Sequence, residues 1–178
     1  IDGNKSGNPV GDVGANASAM GAGVCIFLSR GVKVKNNRII NCRQDGVILG
    51  YTLCGGSDEC DVSENFFFGN QRTNIALITG QRNKITGNLG GPTTGGIDTY
   101  KGAAVDVEPN WAGEVCANNI LTDNIMLGPV NLVCANSAYM RNNKFHGNLW
   151  VGGAVVNPSS DTQGSLFDAD TFIADTTL

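Results

Sequence analysis

The stretch AAVDVEPN at 103–110 places two carboxylates two residues apart. Asp106 and Glu108 alternate with Val105 and Val107, and side chains at i and i+2 of a strand share a face. With the valines turned to a core, the two acids are expected to project outward within about 7 Å of each other. Glycoside hydrolysis needs such a pair, one carboxyl as acid and the other as base or nucleophile. Mutual repulsion raises at least one pKa, which keeps a carboxylic acid protonated near neutrality. Asp98, on the Gly-rich loop just before, is a third catalytic candidate. Tyr100 and Trp111 flank the acids, and aromatic faces suit stacking on sugar rings, so both are candidate substrate contacts. The competing expectation is a plain solvated strand face, with the two aromatics packing over the end of a turn.

Other chemistry is thinner. Asp45 in RQDGVILG precedes an apolar alternation and reads as a turn residue or a further substrate contact. Arg43, Arg72 and Arg82 fall near bends and could hold a carboxylated sugar, but they form no pattern. His146 is the single histidine and reads as a surface residue. With no Cys-x-x-Cys, a zinc site is not expected, and neither is any other metal or cofactor. There is no Gly-x-Ser-x-Gly and no phosphate-binding loop. Of the six cysteines, Cys54 and Cys60 end a Gly-rich loop that could close as a disulfide. Cys116 and Cys134 read better as small buried hydrophobes.

The elements that must carry these residues are repeats. VCAN occurs at 115–118 and again at 133–136, and five segments share the form Asn-x-apolar-x-x-Asn/Cys: NRIINC (37–42), NFFFGN (65–70), NKITGN (83–88), NILTDN (119–124) and NKFHGN (143–148). Their first residues step by 28, 18, 36 and 24, and the 36 suggests a lost copy between two 18-residue turns. Apolar and polar residues alternate with a period near 2 within each copy, which predicts short strands. Many Asn and 25 Gly suit tight turns. Repeats of this length mark a solenoid. Short strands stacked turn on turn give an all-β fold, a single-stranded parallel β-helix of about seven turns. An 18-residue turn would put Cys116 under Cys134 and Asn118 under Asn136. Asn ladders would then link one turn to the next, and Asn would also serve in left-handed bends.

The chain of 178 residues divides into an entry segment (1–23), the repeats (24–156), and an exit segment or last partial turn (157–178). It begins without Met and reads as a piece of something longer. A net charge of −4 argues against nucleic acid as a partner. No apolar run is long enough for a membrane span.

IDGNKSGN at the start, the Asn repeats and AVDVEPN together resemble the right-handed parallel β-helix proteins of the pectate-lyase-like superfamily, most of all bacteriophage tailspike and tail-appendage proteins and their prophage relatives. The resemblance implies a right-handed coil and a homotrimer of side-by-side β-helices. It also implies an extracellular setting, on a virion tail or secreted, and a bacterial surface polysaccharide as partner and glycosidase substrate. Asp106 and Glu108, with Asp98 next, are the positions that fit hydrolysis by outward acids. The Gly-His-Gly and Arg-x-Lys elements of polygalacturonase-type members are missing, and the acidic SDECD (57–61) shows no matching basic partner. A non-catalytic shaft or glycan-binding module is the alternative, and a polysaccharide lyase a third.

Overall fold

The computed structural model describes residues 1–2, 21–51, 55–93, 103–109, 113–128, 130–132, 139–152, 155–156 and 166–173. The chain is a parallel β-helix. Sheet 1 stacks β1 (Val24–Ile26), β5 (Val47–Leu49), β9 (Thr73–Leu77), β13 (Ala103–Val107), β17 (Val130–Leu132) and β21 (Val155–Val156) in that order. Sheet 2 stacks β3 (Lys33–Lys35), β7 (Asp61–Ser63), β11 (Lys84–Thr86), β15 (Ile120–Thr122), β19 (Lys144–His146) and β22 (Leu166–Asp168). Sheet 3 stacks β4 (Arg38–Ile40), β8 (Phe66–Phe68), β12 (Leu89–Gly90), β16 (Ile125–Leu127), β20 (Leu149–Val151) and β23 (Thr171–Ile173). Two narrower strips lie between sheets 1 and 2: β2 (Ser29–Arg30) with β6 (Ser57–Asp58), and β10 (Gly80–Gln81) with β14 (Cys116–Ala117) and β18 (Met140–Arg141).

Strands of sheets 2 and 3 turn a single residue to the axis, and those of sheet 1 turn two. Val62, Ile85, Leu121 and Phe145 stack in sheet 2, and Ile39, Phe67, Met126 and Trp150 in sheet 3, all buried. Val47, Leu49, Ile75, Leu77, Val105 and Val107 close the core from sheet 1. A single turn cannot bury this face alone, so stacking is what makes the core.

Two buried Asn ladders fix the corners. In one, the backbone N and Nδ2 of Asn37, Asn65, Asn88 and Asn124 each donate to Oδ1 of the next member, ending at Asn148. Asn148 hands on to Asp170 in the same way. The other runs through Asn83, Asn119 and Asn143, with Cys60 N donating into its start. The residue before a ladder position takes the left-handed conformation, as Glu64, Arg82, Asn118, Asp123 and Asn142 do. The ladder Asn and the left-handed residue are thus neighbours rather than one residue.

The register corrects the repeat alignment. Asn65 hands on to Asn88, the last residue of NKITGN, not to Asn83, the first. The first two copies wrap sheet 3 and the last three wrap sheet 2. Both sides are three-residue strands between Asn corners, so one motif describes both. Turn lengths along the ladder are 28, 23, 36, 24 and 22. The step of 36 is one long turn with no lost copy. Cys116 accordingly pairs with Met140 and Asn118 N donates to Arg141 O, so neither stacks at an 18-residue spacing. Cys134 and Asn136 lie outside the described residues.

Cys60 is a buried thiol whose Sγ donates to Asp58 O at 3.4 Å, so no disulfide closes the 54–60 loop. Cys116 is buried in the core.

Candidate functional site

Asp106 and Glu108 do turn away from the valines, but neither meets solvent. In sheet 1 Asp106 pairs with Ala76, which pairs with Ile48, on the outer face. Ile48, Ala76 and Ile78 form a second apolar cluster there, with Ala22 and Phe27 packed on it. Asp106 is 0% and Glu108 5% exposed. The expected solvated strand face is therefore a covered one.

What holds two acids there is Arg72. Its Nη2 donates to Asp106 Oδ2 at 3.1 Å and also to Glu108 Oε2, while its Nη1 donates to Asp45 Oδ2 at 3.0 Å. The arginine side chain is itself only 7% exposed. Asp45 is fully buried, and its other oxygen accepts from Thr73 N at 3.1 Å and Thr73 Oγ1 at 2.7 Å. Asp45 is a structural acceptor that ties the turn before β5 to the start of β9.

Three carboxylates thus converge on one guanidinium in a dry site, where unpaired charge is costly. Burial pushes the Asp106 carboxyl well above its ordinary value. The Glu108 charge raises it further, Arg72 pulls it down, and a hydrogen bond with Glu108 raises it again. Burial raises Asp45 as well, with Arg72 and Thr73 pulling the other way. These directions favour the protonated form of Asp106.

Asp98, Tyr100 and Trp111 lie outside the described residues. Arg72 was the partner that spacing did not single out. Aligning GVILG with NIALI sets Thr73 one turn beyond Asp45, 28 residues on, and puts Arg72 at the edge of that row.

The acidic segment 57–61 finds its basic partners on neighbouring turns. Glu59 bridges Arg30 (2.6 Å) and Arg82 (3.0 Å), and Asp61 pairs with Lys35 (2.7 Å). Among the described residues no cluster of His, Cys, Asp or Glu is arranged to hold a metal ion. His146 is exposed and faces Asp168 at 3.3 Å.

A surface cleft of about 400 Å³ lies over the narrow strips, lined by Leu28, Ser29, Arg30, Asp58, Thr79, Gln81 and Val115. Its residues come from four successive turns, so it runs along the helix axis. Leu28 holds a left-handed backbone (φ 47°) and is 81% exposed.

Compared with protein-family models, curated proteins and solved structures, the chain matches none.

Proposed function

We propose that this β-helix binds a bacterial surface or extracellular polysaccharide. The observation that carries the reading is the axial cleft, which crosses four turns and mixes hydroxyl, amide, charged and apolar groups. An extended polymer lying along the rod meets a different set of these groups at each turn, and such a mixture suits sugar hydroxyls and ring faces. The resemblance to tailspike proteins supports the same class of ligand. A homotrimer belongs to the proposal too. The outer rows of sheet 3 expose Phe68, Leu89, Ile125 and Ile173, beside partly covered Phe66. A contiguous apolar stripe of this kind marks an interaction face, and side-by-side copies would cover it.

Hydrolysis is the second reading, favoured by the two carboxylates of Asp106 and Glu108 gathered at one guanidinium. It requires the cover over sheet 1 to open before a glycosidic oxygen could reach the acids.

The test is binding to a panel of capsular, lipopolysaccharide and teichoic-acid glycans, with reducing ends and ultraviolet absorbance followed together. A ligand is expected whose affinity drops in Arg30→Ala/Gln81→Ala. Cleavage by the parent and none by Asp106→Asn/Glu108→Gln establishes the hydrolase, while new absorbance means a lyase. No glycan bound overturns the reading. Sedimentation at several concentrations tests the trimer.

A further inference from the structure

The three broad faces of the rod differ in chemistry. The outer face of sheet 1 is buried at Ile48, Ala76 and Asp106, and that of sheet 3 is apolar. Sheet 2 alone presents a polar, cationic face. Its strands pair Lys33 with Asp61, Asp61 with Lys84, Lys84 with Ile120, and Ile120 with Lys144, so these residues form one row along the axis. Lys33, Lys84 and Lys144 are all exposed. They occupy alternate rungs, and their Cα atoms are therefore about 10 Å apart, twice the strand spacing.

The intervening groups leave that positive row standing. Asp61 is already paired with Lys35 at 2.7 Å, and Ile120 carries no charge. The adjacent row reads Lys35, Ser63, Thr86, Thr122, His146 and Asp168. Thr86 and Thr122 bring their hydroxyls to 3.4 Å across the rungs. Asp168 faces His146, while Glu64 and Asp123 stand apart, at the corner leading to sheet 3. In a chain of net charge −4 this is a local excess of cations with hydroxyls beside it. The row also borders the axial cleft, separated from it by the corner residues Glu59 and Arg82.

We infer that sheet 2 recognises an acidic polysaccharide carrying one anionic group for every two sugar residues, laid parallel to the rod with successive anions at Lys33, Lys84 and Lys144. Two residues of an extended β-linked pyranose chain advance by about the same distance as two rungs, about 10 Å. One ammonium then meets each anion, and the threonine hydroxyls lie beside the neutral residue between. This deepens the glycan-binding reading and rests on it. The rigid ladder pre-pays the cost of holding three charges in register, and attraction to the polyanion is screened by salt.

The experiment is titration calorimetry of the full chain with hyaluronate (one carboxylate per two residues), polygalacturonate (one per residue) and uncharged dextran, at low and high salt. Parent, Lys33→Gln/Lys84→Gln/Lys144→Gln and the corresponding triple Arg variant are compared, with melting curves confirming that these exposed changes leave the fold intact. Expected are binding of hyaluronate in preference to polygalacturonate and weakening with salt. At least a tenfold loss is expected in the Gln variant, with retention in the Arg variant. Absence of binding to either polyanion, equal affinity in the Gln variant, or a preference for polygalacturonate overturns the inference. If a neutral glycan of the wider panel binds while no polyanion does, glycan binding stands and the charge assignment alone falls.

Discussion

Asp106 Oδ2 lies 3.1 Å from Arg72 Nη2 in a site where the aspartate is 0% exposed. Arg72 forms an ion pair with each of Asp45, Asp106 and Glu108. Removing one partner of a buried pair leaves the other charge uncompensated, at a cost of about 3–5 kcal/mol. Arg72→Met is therefore expected to destabilise the chain by at least that much, or to prevent folding at neutral pH. Lys does not rescue it, because a single ammonium lacks the planar fork that serves several carboxylates at once. Urea unfolding of the two variants measures this, and near-parental stability in Arg72→Lys would contradict it.

The same cluster makes stability fall as pH rises. Burial raises Asp106 above its ordinary value, so between the unfolded value near 3.9 and the raised folded value the native state binds more protons than the unfolded one. The contribution is complete below the unfolded pKa and is lost as pH climbs through the folded one. Asp45 acts with the same sign. Half-buried Asp61, which burial alone would raise, and Glu59 are both lowered by hydrogen bonds with their basic partners and act with the opposite sign at acid pH. Asp106→Asn supplies a permanently neutral side chain of the same shape. Its melting temperature is expected to decline less than the parent's as pH rises above the unfolded value, and parallel curves would refute this.

The Asn ladder gives a third prediction. Asn124 Oδ1 accepts from both Asn88 N and Asn88 Nδ2, and Asn124 Nδ2 donates to Ile85 O and Asn148 Oδ1. Asn124→Ala removes all four bonds; Asn148 Oδ1 keeps Asn124 N and Asn88 Nδ2 keeps Val62 O, but the buried Asn88 N loses its acceptor, at about 1–3 kcal/mol. Asp170 ends the ladder as an acceptor only, taking Asn148 on Oδ1 and Trp150 Nε1 on Oδ2. Asp170→Asn leaves one such bond unmade and is expected to cost about 1 kcal/mol. Comparing the two by chemical unfolding separates ladder interior from ladder end.

These contrasts show which parts of the fold a sequence displays. Strand period and the Asn corners depend on residues a few positions apart, so NKITGN and NFFFGN announced a β-helix directly. Register depends on turn length, which ranges from 22 to 36 residues here, and a motif shared by two sides of the rod conceals which side it occupies. The alternation in VDVE correctly set the acids opposite the valines. Their burial was not legible, because it depends on the packing of the rod and on Arg72, 34 residues before Asp106. A charge partner one turn away leaves no local spacing to find.

Two glycines should behave oppositely although both adopt left-handed backbone. Gly50 (φ 71°) packs so closely on the next turn that a Cβ would sit 1.8 Å from Thr79 O, a backbone atom that cannot step aside. Gly87 (φ 63°) has only Glu64 Cγ nearby, at 3.9 Å, the end of an exposed side chain. Gly87→Ala then costs the conformational preference alone, about 1–2 kcal/mol. Gly50→Ala adds the displacement of one turn from its neighbour, which disturbs the ladder bonds on both sides, and is expected to exceed about 4 kcal/mol. Equal losses in the two variants, measured by urea unfolding, would mean that the turns can separate without cost. Stacking would then not be what holds this chain together.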